Sequence, residues 1–136
     1  MEDFVTFEIA KKLREKGFRE ECFAHYPICG EDYAEYNYIE DDSCGISLFD
    51  LCRCYNNEDS RLIDAPTISQ VLKWLREEKK LYVEINMHQY LDKSKFYPTI
   101  QYMDKMENRV HINNIVYESY EDASLAGIEY VLDNLI

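Results

Sequence analysis

The sequence predicts an α+β fold in which three helices pack on an antiparallel sheet, in the order α-β(2-3)-α-β(3)-α. The first observation is that helix-like segments are separated by runs of several strand-like segments, which favours an antiparallel over a doubly wound sheet. The second is that 46% of the 136 residues are hydrophobic and 14% are aromatic, which is enough for a packed core. Because this length suits one domain, we expect a single α+β domain over residues 1–136.

The first predicted helix covers residues 6–16. Thr6 can accept a hydrogen bond from an open backbone N–H, and Gly17 can adopt the left-handed conformation that ends a helix. Ile9 and Leu13 lie one turn apart, so one helix face is apolar.

Helical spacing is lost between residues 22 and 55. The short aromatic runs CFAHY, YAEYNYI and SLFDLCRCY are separated there by PICGED and EDDSCG. Aromatic runs between Gly, Pro and Asp are typical of strands with tight connections. We therefore expect two or three strands in this region.

The segment APTISQVLKWLREEKKLYVEI predicts a second helix over 67–79, followed by a strand over 81–87. Pro66 ends the preceding segment, and Thr67 with Gln70 forms a capping box. After the helix the apolar spacing changes from helical to alternating, as in a strand with one buried face. The predicted buried stripe of the helix comprises Ile68, Val71, Leu72 and Leu75.

Two further strands, over 96–104 and 109–117, and a last helix over 119–135 complete the prediction. Pro98 cannot donate to a strand ladder, so its strand is expected to be an edge strand or to be interrupted there. Ser119 is the expected N-cap of the last helix. The predicted buried stripe of that helix comprises Leu125, Ile128, Val131, Leu132 and Leu135.

The net charge of −12 excludes some classes of partner. Residues 31–64 hold ten acids against two bases, a local balance of −8. Phosphate-backbone binding needs clustered Lys and Arg, so direct nucleic-acid binding is not expected. No apolar run approaches the ~20 residues that span a bilayer, and no export signal is recognisable, so we expect a cytoplasmic protein with no membrane partner.

The cysteines and histidines provide a weak candidate for a metal site. Cys22-x-x-His25-x-x-x-Cys29 and Cys52-x-Cys54 have ligand types that suit zinc, but neither has the C-x-x-C spacing of structural sites. In a reducing compartment the five cysteines are expected to be reduced thiols. We therefore expect no metal and no other cofactor.

No catalytic motif is recognisable in the sequence. No local signature pairs a cysteine with one of the three histidines, and no glycine-rich phosphate loop is present. Glu77-x-Lys79 resembles part of a nuclease motif but lies on a predicted helix surface rather than a strand. These observations predict a protein that is not an enzyme.

Four segments together resemble a known group of proteins: TFEIAKKLREKGF, ECFAHY, APTISQVLKWLREEKKLYVEI and YESYEDASLAGIEYVLDNLI. They look like a family of small proteins encoded by phages, prophages and related mobile elements of gut anaerobes. The resemblance implies a shared scaffold and a mobile-element genomic context, so the expected cytoplasm is that of the host cell. It implies no catalytic residue.

The acidic, tyrosine-rich segment EDYAEYNYIEDD, residues 31–42, is the candidate functional surface. Its carboxylates could imitate nucleic-acid phosphates and bind a basic host protein, for example a defence factor. The other interpretation is that these acids only keep an exposed hairpin soluble. A separate hypothesis is a binding or sequestering protein for a nucleotide-like small molecule, with an aromatic-lined pocket on the strand face. The candidate protein-binding residues are Tyr33, Glu35, Tyr36, Tyr38, Glu40, Asp41 and Asp42.

Overall fold

Helices and antiparallel strands alternate along the chain in the predicted order. The computed structural model describes residues 3–22, 24–27, 47–48, 62–105, 109–111 and 115–136. Within these residues the elements are α1 (Phe7–Glu15), β1 (Ala24–Pro27), β2 (Ser47–Leu48), β3 (Leu62–Asp64), α2 (Ile68–Glu78), β4 (Leu81–Tyr90), β5 (Lys93–Tyr102), β6 (Arg109–His111) and α3 (Tyr120–Asn134). The α+β class and the order of helices and strands are confirmed.

The strands belong to two sheets. The chain divides into two compact units, Met1–Thr67 and Ile68–Ile136. The described strands form an antiparallel sheet of order β2-β1-β3 in the first unit and one of order β4-β5-β6 in the second. The predicted antiparallel pairing is confirmed, with the ladders divided between the two sheets. The single-domain expectation stays a prediction.

Helix α1 begins and ends where its sequence signals predict. The Thr6 hydroxyl accepts a hydrogen bond from the Ile9 backbone N–H at 3.3 Å. Gly17 has a φ of +89°, and the Phe18 N–H donates to the Leu13 carbonyl at 3.0 Å. These bonds satisfy backbone groups that the helix ends leave open, and they place buried Phe18 beside buried Leu13.

Tyr26 on β1 is central to the core of the first unit. Its ring meets Phe7 edge to face at 5.5 Å between centroids, and its hydroxyl donates to the Val5 carbonyl at 2.7 Å. Tyr26 also pairs across the sheet with Ile63 of β3. The sequence prediction missed β3, because three residues are too few for alternation to be visible. The predicted strand YAEYNYI lies outside the described residues.

The two ends of the first unit lie side by side. Phe4 forms an antiparallel bridge with Thr67, and the Val5 N–H donates to the Pro66 carbonyl at 3.0 Å. Thr67 is therefore part of a strand-like bridge as well as the residue before α2. The capping box expected at Thr67 stays a prediction.

A ten-pair hairpin forms most of the second sheet. Strands β4 and β5 pair from Leu81 with Tyr102 to Tyr90 with Lys93, so β4 extends three residues beyond its predicted end. Helix α3 packs against both strands, and α2 packs against β4 and α3. The core of this unit includes Val71, Leu75, Leu81, Val83, Ile100, Ile128, Val131 and Leu132.

Pro98 lies in the central strand of this sheet, so the edge-strand alternative is wrong. Its backbone pairs with Ile85 of β4. Two positions away, the Phe96 N–H donates to the Tyr117 carbonyl at 2.9 Å, on the side opposite β4. Because alternate residues of a strand point their N–H groups the same way, the missing N–H of Pro98 also faces away from β4. On that side the described pairing with β6 reaches Thr99, and residues 112–114, which follow His111, lie outside the described part of the chain, so the predicted interruption stays a prediction.

Helix α3 approaches the sheet closely at a glycine. Ser119 caps the helix, as predicted, by accepting a hydrogen bond from the Asp122 N–H at 3.0 Å. At Gly127, an added Cβ would lie 2.7 Å from Val83 Cγ1 and 3.0 Å from Pro98 Cβ. The absence of a side chain therefore sets the distance between this helix and the strands.

Three leucines assigned to buried stripes lie at the margins of those stripes. Leu72, Leu125 and Leu135 are half-buried rather than buried. In α2 the buried arc includes Trp74, which the apolar pattern omitted, and this moves Leu72 to the edge of the arc. The stripe predictions are therefore corrected at these positions.

Candidate functional site

The acidic surface predicted from the sequence lies outside the described residues. This applies to the whole of residues 31–42, so the proposed protein-binding role of the segment stays a prediction. The residues concerned are Tyr33, Glu35, Tyr36, Tyr38, Glu40, Asp41 and Asp42.

The cysteine and histidine candidates are described only in part. Cys22 is buried, and its Sγ lies 3.4 Å from the Glu20 carbonyl oxygen, where the thiol donates a hydrogen bond. The other four cysteines lie outside the described residues. Within the described part of the chain, no three His, Cys, Asp or Glu residues are grouped so that they could hold a metal ion. The expectation of reduced, metal-free cysteines stays a prediction.

The second sheet presents one face that does not carry the helix-packed core. Strand residues alternate between faces, so Leu81 and Val83 pack under the helices while Tyr82, Glu84 and their alternating successors point the other way. Asn86 lies on this second face and donates from Nδ2 to the Thr99 hydroxyl at 2.8 Å. The face is therefore polar and internally hydrogen-bonded near its middle.

Burial decreases steadily toward the turn of the β4–β5 hairpin. Val83 is buried, Met87 is 61% exposed and Leu91, in the turn, is 85% exposed. Leu91 also has a φ of +58°, in the left-handed region that a branched side chain rarely adopts. This backbone conformation costs about 1–2 kcal/mol for an ordinary L-residue. The turn thus holds a strained, solvent-facing leucine.

A cleft of about 460 Å³ lies at this end of the hairpin. Its volume falls in the range of small-molecule sites, roughly 300–1,000 Å³. The lining is mostly apolar surface, with charged groups at a few positions. The lining residues are His88, Leu91, Asp92, Lys93, Lys95 and Val116. No Phe, Tyr or Trp is among these described residues, so the described lining differs from the aromatic-lined pocket expected of a nucleotide-like ligand.

The strand ladder explains why these residues meet. His88 lies opposite Lys95 in the β4–β5 register, and Lys93 is two residues before Lys95 on the same sheet face. The bridge between Phe96 and Tyr117 places Val116 beside the same face. The cleft is therefore assembled from two strands, their turn and the segment that leads into α3.

The two lysines of the cleft lie near two carboxylates, only one of which is ion-paired among the described residues. The Lys95 ammonium contacts the carboxylate of Glu118, whose side chain is 77% exposed. Lys93 has no ion-pair partner among the described residues, and Asp92 adds one carboxylate at the turn. Two ammonium groups, an imidazole and two carboxylates thus lie beside the apolar side chains of Leu91 and Val116. These groups are suited to binding a ligand.

Sequence reasoning missed this cleft because five of its six described lining residues, within 88–95, look like an ordinary exposed hairpin, and the sixth, Val116, lies farther along the chain. Each lysine, taken alone, is typical of a solvated strand. The available signal was the pair Leu91-Asp92 between two alternating segments. A two-residue hairpin turn usually contains Gly or Asn, so a leucine at this position is unusual. Recognising it requires the register that brings residues 88, 93, 95 and 116 together.

The chain matches no protein-family model, no curated protein and no solved structure. No helix among the described residues has both the length and the apolar character needed to cross a membrane.

Proposed function

We propose that this protein acts by binding rather than by catalysis, as a small accessory protein of a phage or other mobile element. Its partner is a host protein with a basic surface, contacted through residues 31–42. The supporting observation is the charge distribution, with −8 of the net −12 lying in residues 31–64. An anti-defence role follows if the basic surface is one that normally holds nucleic acid.

The composition of the segment suits such a contact. Carboxylates accelerate encounter with a cationic surface and disfavour wrong partners. Tyrosine provides a large contact area and loses little rotamer entropy when it is fixed at an interface. A segment with both residue types can imitate the spacing of charge on a phosphate backbone while adding apolar contacts.

The test is neutralisation of the acidic segment. Host proteins are recovered by affinity purification, and the association of each with the purified chain is measured. The test variant carries four changes to Gln or Asn, at Glu35, Glu40, Asp41 and Asp42. We expect the association rate to fall about tenfold or more, because electrostatic steering depends on these charges.

A matched control carries the same change in net charge on exposed acids elsewhere. Its four substitutions are at Glu15, Glu77, Glu78 and Asp104. The control should associate at close to the parental rate. An equal loss in both variants would assign the effect to net charge, and no loss in the test variant would refute the role of the segment.

A second candidate function is small-molecule binding, and the hairpin-end cleft favours it. The cleft has the volume of a ligand site and combines apolar walls with a few charged groups. Thermal-shift measurements against a panel of small organic anions and nucleotides test this function. A ligand that raises the melting temperature should also shift the NMR resonances of the residues that line the cleft.

A further inference from the structure

We infer that the hairpin-end cleft binds a small organic anion with an aliphatic body, an alkyl carboxylate or an alkyl phosphate, rather than a nucleotide. This inference rests on the small-molecule function proposed above. It names the ligand class from the chemistry of the six lining residues.

The apolar part of the cleft suits an alkyl chain. Leu91 and Val116 provide branched aliphatic surface, and the stems of the two lysines add methylene groups. Nucleobases are usually held by stacking on large aromatic side chains, and among the described lining residues the imidazole of His88 is the only ring. A flexible alkyl chain needs only dispersion contacts and removal from water, which these side chains supply.

The charged part of the cleft suits an anionic head group. Lys93 and Lys95 occupy alternate positions of β5, so their ammonium groups lie on the same sheet face. Lys95 is held by Glu118, but that carboxylate is 77% exposed, and exposed ion pairs are weak. An anion seated in the cleft can therefore replace Glu118 as the partner of Lys95. Asp92 disfavours a second negative charge close to the turn.

The first experiment is an NMR titration of the full chain with four related compounds. These are hexanoate, hexyl phosphate, the neutral hexanamide and inorganic phosphate. We expect hexanoate or hexyl phosphate to shift the backbone amide resonances of residues 88, 91–95 and 116. Hexanamide and inorganic phosphate should bind at least about tenfold more weakly. Whichever of the two alkyl anions binds tighter identifies the head group.

The outcomes separate the two levels of the proposal. Hexanamide binding as tightly as hexanoate would overturn the anionic class while leaving the small-molecule function intact. Inorganic phosphate binding as tightly as hexyl phosphate would overturn the aliphatic body. Absence of shifts with all four compounds would overturn this ligand class, and absence of any hit in the thermal-shift panel would overturn the function itself.

The second experiment uses a substitution that should increase affinity. Glu118→Gln removes the internal partner of Lys95, so hexanoate should bind about threefold tighter, with hexanamide binding unchanged. Lys93→Gln should weaken hexanoate binding about threefold to tenfold. Lys73→Gln is the matched control, because Lys73 is an exposed lysine of α2 outside the cleft.

A gain of affinity cannot result from unfolding, which makes Glu118→Gln the decisive variant. Unchanged hexanoate affinity in this variant would overturn the role of Lys95. Equal weakening by Lys93→Gln and Lys73→Gln would show a response to net charge alone, and would overturn the assignment of the anion to the cleft.

Discussion

Gly127 shows how one residue can set the distance between a helix and a sheet. Its Cα faces Val83 and Pro98 so closely that a Cβ would lie 2.7 Å from Val83 Cγ1. The helix accepts the conformational cost of an internal glycine, about 1 kcal/mol relative to alanine, in exchange for this approach.

We predict that Gly127→Ala lowers the free energy of unfolding by about 1 kcal/mol. Overpacking a well-filled core costs about 1–3 kcal/mol, which exceeds the gain in helix propensity. The measurement is urea unfolding followed by circular dichroism.

The control for Gly127→Ala is a double-mutant cycle with Val83→Ala, which removes the Cγ1 atom. The Gly127→Ala substitution should be less costly in the Val83→Ala background, by about 0.5 kcal/mol or more. A Gly127→Ala protein more stable than the parent would mean that the helix and sheet are farther apart than described.

At the scale of the elements, the β4–β5 hairpin combines a regular ladder with an irregular turn. All ten residue pairs are in register, yet the turn contains Leu91 with a φ of +58°. Strained residues of this kind persist where the surrounding structure fixes them, and they are common at binding sites. The position of Leu91 on the wall of the cleft is consistent with that rule.

We predict that Leu91→Asn raises the free energy of unfolding by about 0.5–1 kcal/mol and weakens ligand binding in the cleft. Asparagine tolerates the left-handed region, and a side chain that is 85% exposed loses little packing when it is replaced. Thermal and urea unfolding check the stability, and the hexanoate titration checks the affinity.

Met103→Asn is the control for Leu91→Asn. Met103 is also an exposed apolar side chain, but its φ is not positive. It should give no gain in stability. Equal effects of the two substitutions would mean that the change in stability comes from replacing an exposed apolar side chain and not from the turn conformation.

The helices were predictable because their signals are local. Thr6, Gly17 and Ser119 act on backbone groups within a few residues, so the predicted ends of α1 and α3 lie one residue from those of the structure. The close approach at Gly127 could not be predicted, because it depends on residues of two strands that are distant in sequence. The hairpin-end cleft was missed because its lysines look like those of any solvated strand, and only the fold brings Val116 beside them.

Pro98 shows the intermediate case. Its missing N–H predicts that a ladder is interrupted, since that is a property of the residue alone, and this part stays a prediction. The ladder affected is the one with the strand on the side to which the N–H position of Pro98 points. Identifying that strand requires the full strand order of the sheet. The sequence supports the interruption but not the position of the strand in the sheet.

At the scale of the whole molecule, the dominant property is the net charge of −12 and its uneven distribution. Interactions of exposed charges are screened over about 8 Å at physiological ionic strength and about 3 Å at 1 M salt. A chain with this charge should therefore recognise a basic partner in a strongly salt-dependent manner.

We predict that association with the proposed basic host protein slows as sodium chloride is raised, by about tenfold or more between low and physiological ionic strength. Stopped-flow measurements over a salt series check this. The variant neutralised at Glu35, Glu40, Asp41 and Asp42 should show a flatter dependence. Parallel salt curves for the two proteins would place the steering charge elsewhere.

The bridge between Phe4 and Thr67 gives the first unit a property of practical use. A unit whose two ends are adjacent tolerates circular permutation, in which the ends are joined and the chain is opened at another surface position. It can also be inserted into a loop of an unrelated protein without a change in its own strand order. In the sequence, residues 31–42 fall between those ends. The adjacent ends therefore suit the first unit to insertion into a different scaffold, which would then present the acidic segment.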